Sequence, residues 1–97
     1  MASLSTHVLD TATGRPASGV SVSLERDGRV IATRSTDAEG RIRDLATGLA
    51  PGRYRLTFEV AGSFFSRLSV DVEVAGDPHY HVPLLMAPFS LGTYRGS

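Results

Sequence analysis

Along most of the chain hydrophobic and polar residues alternate with a period of two, and they do not recur at the three-to-four spacing of a helix. That pattern predicts strands with one buried face. Two runs show it most cleanly: Val20, Val22 and Leu24 against Ser21, Ser23 and Glu25, and Tyr54, Leu56, Phe58 and Val60 against Arg53, Arg55, Thr57 and Glu59. Leu68, Val70, Val72 and Val74 form a third, and weaker alternation predicts strands at 4–9, 30–35, 41–45, 80–86 and 93–97. Turn residues separate the runs. Asp27-Gly28 between two alternating stretches is a two-residue hairpin signal, and Glu39-Gly40, Pro51-Gly52 and Gly76-Asp77-Pro78 mark further reversals. Asp37-Ala38-Glu39 is compatible with one helical turn, which Gly40 ends. The expectation is an all-β chain: a two-sheet antiparallel Greek-key sandwich with at most one short helix.

Ninety-seven residues suit one domain, spanning 1–97, with a modest core, so burial between subunits is the expected supplement to stability. Ten basic residues balance ten acidic ones and are scattered singly, which leaves no electrostatic footprint for nucleic acid or an anionic membrane. The absence of cysteine excludes disulfides and thiolate metal sites. The first residues lack the charged start and apolar run of a secretory signal, and no stretch is long and apolar enough to span a membrane. A cytoplasmic location is the corresponding expectation.

Candidate chemistry is confined to few residues, because there is no nucleophile elbow and no phosphate-binding glycine loop. The three histidines therefore carry most of the interest. His79 and His81 flank Tyr80, so a strand here places both imidazoles on one face and Tyr80 on the other with Val82 and Leu84. His7 shares a face with Ser5 and Leu9, while Thr6 and Val8 turn toward the core; read alone, it is a surface histidine. A zinc site takes three or four protein ligands and the three histidines could in principle converge on one, but no neighbouring cysteine or carboxylate strengthens that case, so no metal or cofactor is expected. Arg41, read alone, is a solvated turn residue no more conspicuous than Arg43.

Several segments together carry a resemblance. Leu4-Ser5-Thr6-His7-Val8-Leu9-Asp10, Thr13-Gly14-Arg15-Pro16-Ala17, Gly40-Arg41-Ile42, His79-Tyr80-His81-Val82-Pro83-Leu84-Leu85 and the closing Thr93-Tyr94-Arg95-Gly96-Ser97 resemble the 5-hydroxyisourate hydrolases, the transthyretin-related proteins of purine catabolism. The resemblance covers nearly the whole chain, and the closing tetrapeptide Tyr94 to Ser97 separates those enzymes from the hormone carrier transthyretin. One departure is visible. Relatives have a longer, partly helical connection before the strand at 68–74, and their Phe-Phe-Pro is Phe64-Phe65-Ser66 here.

What the resemblance implies is specific. The activity is hydrolysis of 5-hydroxyisourate to 2-oxo-4-hydroxy-4-carboxy-5-ureidoimidazoline in urate degradation, by a homotetramer, a dimer of dimers, whose sites lie where dimers meet. Catalysis falls to His7, Arg41, His81 and Ser97, and substrate binding to His7, Arg41, Tyr94, Arg95 and Gly96; His79, to which the resemblance gives no role, either supports His81 or faces solvent. Near-neutral imidazoles suit water activation at a ring carbonyl, and a guanidinium suits the oxyanion that forms. Tyr94 offers a flat wall, and the carboxyl end of Ser97 could orient an imidazole. Two other readings compete. A transthyretin-like carrier of a small apolar ligand calls for an apolar channel, which His7, Arg41 and His81 oppose. A structural sandwich module, which the segment 10–62 resembles, has no use for the closing tetrapeptide.

Overall fold

The chain folds as nine strands and no helix in a computed structural model that describes residues 1–97. They are β1 (Ala2–Asp10), β2 (Arg15–Pro16), β3 (Ser21–Arg26), β4 (Arg29–Ser35), β5 (Arg41–Leu49), β6 (Gly52–Glu59), β7 (Arg67–Val74), β8 (His79–Ala87) and β9 (Ser90–Thr93). Four of them form one sheet in the order β4-β3-β6-β7. The other sheet runs β2-β1-β8-β9, with β5 also paired to β1. The chain crosses between sheets after β2, β4, β5 and β7, giving the expected sandwich. One pair departs from the antiparallel pattern: β1 and β8 run parallel from Ser3 opposite His79 to Asp10 opposite Met86.

Alternation translates directly into the core. Val22 and Leu24 of β3 and Tyr54, Leu56 and Phe58 of β6 face Leu4 and Val8 of β1, Leu45 of β5, and Val82 and Leu84 of β8. Each fully buried Leu, Val or Phe contributes on the order of 1.5–3 kcal/mol relative to exposure. Thr6, buried among them, donates its hydroxyl proton to the Val82 carbonyl at 2.6 Å, so no polar atom is stranded. The Asp27-Gly28 turn joins β3 to β4 with both residues at positive φ, 53° and 77°, the backbone such a two-residue hairpin requires.

Of three local features, only the last strand departs from expectation. The segment at 37–40 is a turn, not helical: the Asp37 carboxylate accepts from the backbone N–H groups of Glu39 and Arg41 at 2.8 and 3.0 Å, offering the chain an alternative to helix. The last strand is Ser90–Thr93, not 93–97. Its ladder with β8 stops where Tyr94 would pair with Pro83, which has no N–H to donate, and resumes in register for one bridge between Gly96 and His81. The connection from Val60 to Arg67 is short and irregular, closed by a Val60 N–H to Ser66 carbonyl bond of 3.0 Å.

Candidate active site

Register on the outer face of the five-stranded sheet brings the candidate side chains together. In the parallel β1/β8 pair Ser5 lies opposite His81 and Ser3 opposite His79; in the antiparallel β1/β5 pair His7 lies opposite Arg41. Residues directly opposite share a face, so three adjacent strands present serines, imidazoles and a guanidinium on one surface. There, Ser5, Arg41, Arg43, His79, His81 and Ser97 line an open cleft of about 330 Å³, floored by Thr6 and Ile42.

Two turns and the chain's end hold this surface in place. Arg41 begins β5 immediately after Gly40, whose φ is +73° and where an added Cβ would lie 2.5 Å from the Val8 carbonyl oxygen. Only glycine fits that approach, and Val8 N–H in turn donates to the Gly40 carbonyl at 2.7 Å. At the start of β8 the Tyr80 hydroxyl accepts from Ala75 N–H at 2.8 Å, while the Arg95 guanidinium stacks 4.5 Å from the ring centroid and reaches Asp77 at 3.1 Å. The end of the chain folds back onto the site: Gly96 N–H donates to the His81 carbonyl at 2.7 Å, and a Cβ at Gly96 would press within 2.7 Å of His81 Cδ2.

The imidazoles are tied to hydroxyls. His81 Nδ1 lies 2.7 Å from Ser5 Oγ, His79 Nε2 lies 2.9 Å from the same oxygen, and His79 Nδ1 lies 2.6 Å from Ser3 Oγ. His81 Nε2 makes no protein hydrogen bond and is the ring atom left for the cleft. Partial burial pulls the His81 pKa below the ordinary imidazole value, and the nearby charges of Arg41, His7 and His79 push it the same way. His81 is therefore neutral near pH 7. His7 is held differently: its Nε2 bonds the Glu39 carbonyl at 2.9 Å. A carbonyl can only accept, so Nε2 carries a proton, and in the neutral ring Nδ1 is the atom that keeps the lone pair.

The structure gathers His81, Arg41 and Ser97 in the cleft, with Gly96 packed beneath His81 and His7 one register step away beside Arg41. Within the chain, Tyr94 and Arg95 are not brought to it. They line a separate groove of about 290 Å³ along the β7 and β9 edges with Val70, Val72, Tyr80 and Val82. The interruption at Pro83 releases them from the ladder, and Arg95 is engaged by Tyr80 and Asp77. His79 lies inside the cleft, as do Arg43 and Ser5, which sequence reasoning did not place there. Period two on β1 puts Ser5 on the His7 face, but its pairing with His81 depends on a parallel register that no local pattern encodes. No group of three or more His, Cys, Asp or Glu side chains is arranged to hold a metal ion.

Two sheets of this connectivity, with a cleft in which seven of eight lining residues are polar or charged, define a prealbumin-type sandwich carrying a polar site on its outer face. The chain belongs to the HIUase/Transthyretin family, whose family model matches residues 4–96. It is 41% identical over 115 residues to the 5-hydroxyisourate hydrolase of Caulobacter vibrioides, covering 100% of both chains. That alignment is longer than this chain, so the relative carries residues that are missing here. It is also 41% identical to the uric acid degradation bifunctional protein TTL of Arabidopsis thaliana, of which it spans 37%. Among solved structures, Klebsiella pneumoniae 5-hydroxyisourate hydrolase superposes with a TM-score of 0.92 at 45% identity, covering 100% of both chains. Transthyretin from Sparus aurata superposes at 0.85 with 29% identity, covering 99% of this chain and 97% of its own.

Proposed function

We propose that the protein hydrolyses 5-hydroxyisourate to 2-oxo-4-hydroxy-4-carboxy-5-ureidoimidazoline, as a step of urate degradation. The observation that carries this reading is the juxtaposition of a neutral, partly buried His81 with Arg41, Arg43 and His79 in one open cleft. The names of the Caulobacter and Klebsiella relatives support it. In the reaction His81 Nε2 takes a proton from water as its oxygen adds to the ring carbonyl, and the carbonyl oxygen becomes an oxyanion. Arg41 and Arg43 supply the positive field that stabilises it. When the carbon–nitrogen bond breaks, the departing nitrogen receives the proton back, so water is consumed and no other reactant is needed. Nδ1 of His7 is a second lone pair near Arg41, placed to orient substrate or water.

Transthyretin-like carriage of an apolar ligand is the competing reading, supported by the Sparus aurata superposition. The lining disfavours it, since Ile42 is the single hydrophobic residue among the eight. The proposed working form is a homotetramer with sites where dimers meet. That assembly would let Tyr94, remote from the cleft within one chain, reach a neighbour's site.

Replacing His81 with Asn keeps a polar side chain of similar reach and removes the proton chemistry. We expect turnover, followed by the absorbance decay of freshly generated 5-hydroxyisourate, to fall by roughly 100- to 10,000-fold. Parental activity in H81N would remove His81 from the reaction. Full activity in the presence of a strong chelator is expected in the same assay.

A further inference from the structure

We propose that Ser5 is a positioning residue that fixes His81 as the base of the site, by holding its Nδ1–H and so turning the lone pair of Nε2 toward the cleft. The inference rests on the hydrolytic reading above and adds a residue to it. Ser5 is buried, 7% exposed, and its hydroxyl sits between two ring nitrogens, His79 Nε2 at 2.9 Å and His81 Nδ1 at 2.7 Å. A hydroxyl has one proton. It can donate to one of those nitrogens only, and the other must donate to it. With both rings neutral, the run Ser3, His79, Ser5, His81 therefore has two possible polarities.

In the first, His81 Nδ1–H donates to Ser5, Ser5 to His79 Nε2, His79 Nδ1–H to Ser3, and the Ser3 hydroxyl to the Pro78 carbonyl, a long contact of 3.5 Å. Every proton of the run then has a protein acceptor, and His81 Nε2 is a bare lone pair. In the second polarity all directions reverse. Ser3 gives up the Pro78 contact, and His81 presents an N–H to the cleft that Arg41 and Arg43 line. A donor facing two guanidiniums is electrostatically unfavourable, whereas a lone pair there is favoured. The first polarity also makes one more internal hydrogen bond. Its functional consequence is direct: only a bare Nε2 can accept a proton from water, and the imidazolium that results still donates through Nδ1 to Ser5 without rearrangement.

Fold supplies the geometry. Ser5 and His81 are opposite one another because β1 and β8 pair in parallel, and Ser3 and His79 repeat the arrangement two residues earlier. Sheet register thus builds a ladder of alternating hydroxyls and imidazoles along one face.

The test combines the unmutated protein with two substitutions. In the parent, nitrogen-15 NMR of the His81 ring should report the Nδ1–H tautomer, and in S5A it should shift toward the Nε2–H form that free neutral imidazole prefers. S5A should lower kcat by roughly 10- to 100-fold with little change in KM, and S5T, which restores the hydroxyl, should recover most of the loss. An Nε2–H tautomer in the parent overturns the inference, and so does parental kcat in S5A. Absence of hydrolysis by the parent would sink the hydrolytic reading alone, because the tautomer measurement needs no substrate.

Discussion

At the residue scale the site turns on one imidazole whose surroundings keep it neutral. Desolvation is the largest cause of the lowered His81 pKa, and the cations of its neighbours add to it. Because the folded value lies below the unfolded one, the unfolded chain binds more protons between the two, so this group contributes stability that is fully present above the ordinary imidazole pKa and is lost as pH falls from there through the lowered folded value. Activity follows the same direction. We expect the acid limb of kcat/KM to have its midpoint below about 6.5, the unperturbed histidine value. A midpoint at or above that value would show that His81 is not the group whose neutrality limits the reaction. Sequence alternation alone places His79 and His81 on one face, because period two needs only a strand. Ser5 escaped notice for the opposite reason: a serine on a strand is unremarkable until a distant segment sets an imidazole 2.7 Å from its hydroxyl.

At the element scale, strands bounded by turn residues were legible, since Asp27-Gly28 and Pro51-Gly52 fix the reversals and Val22, Leu24, Tyr54, Leu56 and Phe58 fix the buried face. Three features were not. The two-residue β2 is too short to show a period, the parallel β1/β8 pairing is decided by the sheet crossover, and the tail leaves the ladder because of Pro83, a residue on another strand. Turn 37–40 shows how an element positions chemistry: Asp37 caps the turn, Gly40 lets it lie against β1, and Arg41 enters the cleft as the next residue. Gly40→Ala must both adopt a left-handed backbone, at a cost of about 1–2 kcal/mol, and relieve a 2.5 Å approach to the Val8 carbonyl. We expect denaturant unfolding to show a loss of at least that size, accompanied by weakened turnover as Arg41 is displaced. Unchanged stability would mean that β1 and the turn separate at little cost.

At the scale of the whole molecule, the cleft is shallow and open, as a single sheet face must be. A site that admits one reacting water to the carbonyl while keeping bulk solvent out needs a second wall. The outer face offers the means to recruit one: Leu85 continues the face that carries His81 and Pro83 and is 37% exposed, a large apolar side chain beside polar chemistry. Proposed pairing of dimers across this face would cover Leu85 and close the cleft in one step, and it would explain why Tyr94, remote within a chain, belongs to the closing tetrapeptide. Leu85→Arg should then lower the mass measured by light scattering from tetramer to dimer and reduce turnover together, while the sandwich stays folded, because the substituted side chain points away from the core. If L85R remains tetrameric and fully active, the assembly uses another surface and the second wall must come from elsewhere. If it is dimeric and fully active, one sheet face suffices for the chemistry, and the enclosing role assigned to the neighbouring subunit falls.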